Sequence, residues 1–254
     1  QANFSIEIDR DEDSLLQYAH FIAHVAQRDN LPPFSKAAVA RSIEQGAELA
    51  RRGLTASAAT LARAEPYVKQ DLDHAPTIHA TDDRRRGYVY FDRILERVGI
   101  PPNGAAGEAI EELVSFNDRE GAWDVVAPGS VDALARMRAA SCRLVVVSNS
   151  NGRVRRILRR TGIEPHVDLV LDSQEEGVEK PDPRIFDIAI ERSGADRAST
   201  IHCGDIYHID VAGARAAGLP AVLLDAAGLY GHADCPRVAS LREFADRLLA
   251  GAFD

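Results

Sequence analysis

Two textures of apolar and polar positions divide the chain. Over residues 14–122 the apolar residues recur at helical spacing. In SLLQYAHFIAHVAQ, residues Leu15, Tyr18, Ile22 and Val25 fall on one side of a helix. SKAAVARSIEQGAELARRG opens on a serine suited to cap a helix and closes at Gly53. SAATLARAEPYVKQDLD repeats the pattern, with a break expected near Pro66. DDRRRGYVYFDRILERVG is a fourth helical segment, stopped by Gly99, Pro101 and Pro102, and GAAGEAIEELVSFNDRE is a fifth.

After Pro128 the period changes. SVDALARMRAAS reads as a helix and RLVVVSNS as a short, continuously apolar strand. Helix and strand then alternate: GRVRRILRRTG, VDLVLDS, DPRIFDIAIERSG, STIHCGD, DVAGARAAG, AVLLD and finally SLREFADRLLAG. Strands that are apolar throughout belong to a parallel sheet covered on both faces. The expected fold class is therefore α/β: a doubly wound, Rossmann-like parallel sheet with a helical cap. The expected domains are a cap over 14–122 and an α/β core over 123–254, completed by residues 1–13 or by a strand upstream of Gln1.

Composition narrows the partners. The 254 residues carry 39 acidic and 30 basic side chains, a formal charge of −9. Nucleic acid and anionic membranes need a positive footprint, so neither is the expected partner. No apolar run reaches the length of a membrane span, and no signal peptide is visible. Cys142, Cys203 and Cys235 are odd in number and widely spaced, giving neither a disulfide framework nor a zinc motif. A reduced, cytoplasmic setting is the expectation, with Cys203 a buried free thiol.

In doubly wound sheets ligands bind at the carboxyl ends of the strands. The first such end carries Ser148 and Asn149, then Ser150, Asn151 and Gly152. Hydroxyl, amide and backbone N–H groups there suit an oxyanion, or else cap the next helix. After the second strand comes Lys180, stiffened by Pro181 and Pro183, with Asp182 placed to cap the helix. The third end is Gly204-Asp205, with Asp210 five residues on. Glycine allows a sharp turn there, and the loop can fold both acids toward one point. Two carboxylates with room for waters suit Mg²⁺.

These stretches resemble motifs of the haloacid dehalogenase-like hydrolase superfamily. VVVSNSNG resembles its second motif, EKPDPRIF its third and HCGDIYHIDVAGARAAGLPAVLLD its fourth. The resemblance covers residues 128–251. It implies that Ser148 and Asn149 contact a transferring phosphoryl group, that Lys180 stabilises charge, and that Asp205 and Asp210 hold Mg²⁺. It also implies an aspartate nucleophile that forms an aspartyl-phosphate, with a second aspartate as general acid and base. The implied activity is Mg²⁺-dependent hydrolysis of a small phosphorylated substrate. The alternatives are a 2-haloacid dehalogenase, or a non-catalytic binding protein of the same fold lacking the nucleophile. The dehalogenase gains nothing from a clustered acid pair.

The first motif, an apolar strand ending in Asp-x-Asp, has no clean copy. The nearest is NFSIEIDRDEDSLL, where Asp9 and Asp11 form Asp-x-Asp, as do Asp11 and Asp13. Its Glu7 does not suit a strand buried on both faces. The plain reading is an acidic turn capping the helix that starts near Ser14. The nucleophile is thus expected upstream of Gln1, degenerate, or at Asp9 or Asp11. The remaining features have structural readings: Arg84–Arg86 as a solvated or salt-bridged face, His202 as a strand residue, His208 as a solvent-facing loop residue, and Trp123 as packing between cap and core.

Overall fold

A computed structural model describes residues 58–100, 104–120 and 126–253. The first two expected helices, the acids Asp9, Asp11 and Asp13, and Trp123 lie outside the described residues. The first four described helices are α1 (Ala58–Leu72), α2 (Ala75–Ala80), α3 (Asp83–Arg97) and α4 (Gly104–Glu120). The rest of the chain follows the expected order with a short helix and a short strand added: α5 (Ser130–Ala139), β1 (Val145–Ser148), α6 (Val154–Arg160), β2 (Leu169–Asp172), the added helix α7 (Ser173–Glu176) and α8 (Pro183–Ser193). It closes with β3 (His202–Gly204), a π-helical turn (Tyr207–Val211), α9 (Ala212–Ala216), β4 (Ala221–Leu224), the added strand β5 (Arg237–Val238) and α10 (Leu241–Leu249).

These residues form two compact units. One joins α1 up to Val68 with Tyr88–Pro128, and the other joins Lys69–Gly87 with Gly129–Asp254. Segment 69–87, expected in the cap, thus groups with the α/β core. In the helical unit, Leu95, Ile100, Ala106 and Ala109 form one buried cluster and Phe91, Leu113 and Val114 another. Gly99 ends α3 at φ +83°, which lets the Ile100 amide donate back to the Leu95 carbonyl at 2.9 Å. The break expected at Pro66 does not occur, and α1 runs through it. Ala64 and Val68, one turn apart, are both buried, and packing of that face offsets the lost hydrogen bond.

In the α/β unit every strand pairing is parallel. Neighbouring residues of β4 face opposite ways. Val222 packs with Met137 of α5 and Phe244 of α10, whereas Leu223 packs with Phe186 of α8 and Ala214 of α9. Helices therefore cover both faces, which is why the strand is apolar at every position. Among the described residues the strands pair as two parallel ladders, β1-β2 and β3-β4-β5. Among the described residues, β1 and β3 each keep one edge with no strand partner. Both are half-buried, while β2 and β4 are mostly buried.

The turn at Lys180 is packed hard against α9. A Cβ on Gly213 would come within 2.9 Å of the Pro181 Cα and 3.1 Å of the Phe186 ring. Gly213→Ala is expected to destabilise the fold by about 1–3 kcal/mol, because the neighbours include backbone that must shift. Urea unfolding monitored by circular dichroism checks this; an unchanged midpoint would show that α9 is free to move.

Candidate active site at the strand ends

Sequence places a hydrogen-bonding side chain after β1, a lysine after β2 and two acids after β3. The fold links three of these by hydrogen bonds. Asn149 clamps the backbone of Lys180: its Nδ2 donates to the Lys180 carbonyl, and its Oδ1 accepts from the Lys180 amide, both at 2.8 Å. Lys180 is buried, and its Nζ donates to Asp210 Oδ1 at 2.6 Å. A chain of contacts thus runs from the end of β1, through the Lys180 turn, to the loop after β3. Asn149 spends its amide on positioning Lys180. Ser148, at the end of β1, has its Oγ 3.4 Å from the Asn149 carbonyl.

Asp210 sits inside the π-helical turn and does not cap the following helix. Its Oδ2 accepts from the Ile206 amide at 2.9 Å, and its Oδ1 also lies 3.2 Å from His202 Nε2. Burial opposes ionisation of this carboxyl. The Lys180 ammonium and the His202 hydrogen bond outweigh it and hold the group well below the usual carboxylate range. Gly204 makes room for this arrangement: a Cβ there would fall 2.2 Å from Asp210 Cγ. Cys203 lies between these charges. Burial, then Asp210 and Asp205, push its thiol up to about 12, which keeps it protonated and unreactive.

Asp205 is more open, with 45% of its side chain exposed, and pairs with Lys69 Nζ at 2.9 Å. The two acids therefore do not share a partner; each has its own lysine. Among the described residues no cluster of three or more His, Cys, Asp or Glu side chains is placed to hold a metal. The donor chemistry still fits a hard divalent cation, since both acids offer carboxylate oxygen and Asp205 reaches solvent. Of the two, Asp205 is the open one, whereas Asp210 is buried against Lys180.

After β1 the backbone N–H groups of Ser150, Gly152 and Val154 already have side-chain acceptors. The buried Asp172 carboxylate accepts from Gly152 and Val154, at 3.0 and 3.2 Å, and from Gln174 at 3.1 Å. Ser173 Oγ accepts from Ser150 at 3.0 Å. Asp172 is an internal cap tying the ends of β1 and β2 together. Asp182 caps α8 as expected, accepting from the Arg184 amide at 3.0 Å.

Asp73 and Lys69 have roles near the site that sequence reasoning missed, whereas Arg86 is salt-bridged and His202 lies in a strand, as expected. Asp73, fully buried, accepts from the Tyr207 and His208 amides at 2.7 and 2.8 Å, from Tyr230 Oη at 2.7 Å, and lies 2.9 Å from His208 Nδ1. His208 is thus held by a carboxylate and does not simply face solvent. Arg86 is buried and donates to Glu179 Oε1 at 2.7 Å, bracing the residue before Lys180. His202 packs edge-on to Phe186 as well as touching Asp210. One local signal pointed to Asp73: an acid just past the C-terminus of α1 opposes the helix dipole, so it needs another partner.

A parallel sheet covered on both faces, with lysine and acids gathered at its strand ends, defines a doubly wound α/β protein with its chemistry at the carboxyl edge. Residues 22–218 match the family model described as haloacid dehalogenase-like hydrolase. The chain belongs to that family. Haloacid dehalogenase-like hydrolase domain-containing protein 3 of Bos taurus is 30% identical over 163 residues, 64% of this chain and 62% of that protein. The chain therefore spans less than two thirds of that relative. Ribulose-1,5-bisphosphate 5-phosphatase of Halopiger xanaduensis is 29% identical over 205 residues, covering 76% of this chain and 79% of that one. The magnesium-bound crystal structure of the HAD-hydrolase YfnB from Bacillus subtilis matches with a TM-score of 0.60 and 18% identity, over 84% of this chain and 92% of that one. At that identity the likeness shows the fold. No helix among the described residues is long and apolar enough to cross a membrane.

Proposed function

We propose that this hydrolase cleaves small phosphomonoesters with the help of Mg²⁺, through an aspartyl-phosphate. The observation that carries the reading is the hydrogen-bonded chain Asn149–Lys180–Asp210 across the strand ends. It fixes a buried ammonium where a phosphoryl group would approach, and a preset charge of this kind stabilises a transition state without reorganisation. Asn149 orients Lys180, and the Ser148 hydroxyl donates to a phosphoryl oxygen. Asp205 and Asp210 would hold Mg²⁺, which when bound neutralises phosphoryl oxygens and orients the substrate. The name of the Halopiger relative supports a phosphorylated substrate.

Under this reading the nucleophile is an aspartate outside the described residues, at Asp9, at Asp11 or upstream of Gln1; a degenerate first motif would leave the chain without one. The test is hydrolysis of p-nitrophenyl phosphate by folded protein, with Mg²⁺ and with chelator. Turnover that chelator abolishes is expected. No turnover would overturn the enzymatic reading in favour of a binding protein, and turnover indifferent to chelator would remove Mg²⁺ from it.

A further inference from the structure

The acid loop already carries two cations of its own. Lys180 is buried against Asp210, with 11% of its side chain exposed, and its backbone is clamped by Asn149. Lys69 is different. It reaches Asp205 from the last turn of α1, 136 residues away in sequence, and 28% of its side chain is exposed. Nothing in the nucleophile or phosphate chemistry requires it. Its anchor is Asp73, four residues on, which binds the Tyr207 and His208 amides of the same loop. That anchor holds the turn of α1 that carries Lys69 beside the loop that carries Asp205.

We propose that Lys69 is a tethered cation that occupies Asp205 in competition with a divalent metal. This rests on the reading of Asp205 as a metal ligand. A carboxylate oxygen hydrogen-bonded to an ammonium at 2.9 Å must give up that partner before it can coordinate a metal in its place, and two positive centres at one carboxylate repel. Lys69 therefore sets how much Mg²⁺ the site needs.

The pair is partly exposed, so the competition is modest: removing it is expected to tighten Mg²⁺ binding by about three- to tenfold. Isothermal calorimetry with MgCl₂ on the full chain tests this, comparing wild type, Lys69→Met, Lys69→Arg and Asp205→Asn. The expected result is tighter binding by Lys69→Met, wild-type affinity in Lys69→Arg, and loss in Asp205→Asn. Equal affinity in wild type and Lys69→Met, with Asp205→Asn still losing it, would overturn the competition and leave the metal site standing. If no variant binds Mg²⁺, the competition falls together with the metal reading. A purely structural role for Lys69 would lower stability in Lys69→Met without raising affinity, and that too would overturn the proposal.

Discussion

Lys180→Met is expected to cost about 3–5 kcal/mol of folding stability at neutral pH, because it strands a buried carboxylate, and to abolish hydrolysis. Methionine keeps most of the volume of the lysine stem, so lost packing contributes little. What remains is Asp210, almost wholly buried, with the Ile206 amide and His202 as its other close partners among the described residues. The pH dependence separates this from a packing defect. In the wild type the Asp210 carboxyl is held below its usual value, so its contribution is fully present above the unfolded-state value and is lost as pH falls below it. In the variant, burial acts without the ammonium and pushes the same carboxyl up. The variant is then destabilised at neutral pH and relieved as pH falls. The gap between the two proteins should narrow steadily from pH 7 toward about pH 4. Urea titrations across that range, in chelator, measure the gap; a constant difference would show that the ion pair contributes little and that Lys180 acts through packing alone.

Local sequence signals mark several elements of the fold, although Pro66 lies inside α1. Apolar runs such as VVVS and AVLL mark strands because both faces of the sheet are covered. Asp182 before Pro183 marks a helix start, and Gly204 before Asp205 marks a turn that a side chain would block. The limits appear where distant segments meet. Arg86 to Glu179 and Asp73 to Tyr207 join residues 93 and 134 positions apart, and no periodicity encodes such a pairing. The same reason placed 69–87 with the cap: its residues have helical spacing, while its attachment to the core runs through individual polar contacts. Asn149 is an intermediate case. Its position was legible, but its amide could have served phosphate or backbone, and only the Lys180 turn decides between them. Strand β5 has two residues and takes its identity from pairing with β4, a property no short stretch of sequence carries.

Asp73→Ala should have the second largest effect, a loss of about 2–4 kcal/mol and a collapse of activity, although this residue belongs to no motif. The carboxylate serves two backbone amides, the Tyr230 hydroxyl and the His208 ring, and each donor left unsatisfied in a buried place costs about 1–3 kcal/mol. Burial, then the hydrogen bond to Asp73, push the Tyr230 hydroxyl up, so it stays a donor. The amides of Tyr207 and His208 lie between Asp205 and Asp210, so releasing them frees the loop that carries both acids. Tyr230 itself is set by a second buried acid, since Asp225 accepts from the Leu229 and Tyr230 amides at 2.8 and 3.0 Å. Asp73→Asn keeps the shape and one acceptor oxygen, and it should fold better than Asp73→Ala while still misplacing the loop. The decisive comparison is therefore Asp73→Asn against wild type at a temperature where both are folded. A fall in kcat exceeding any change in stability places Asp73 in the positioning of the acid pair. If kcat is unchanged in a folded Asp73→Asn protein, the clamp serves the fold alone.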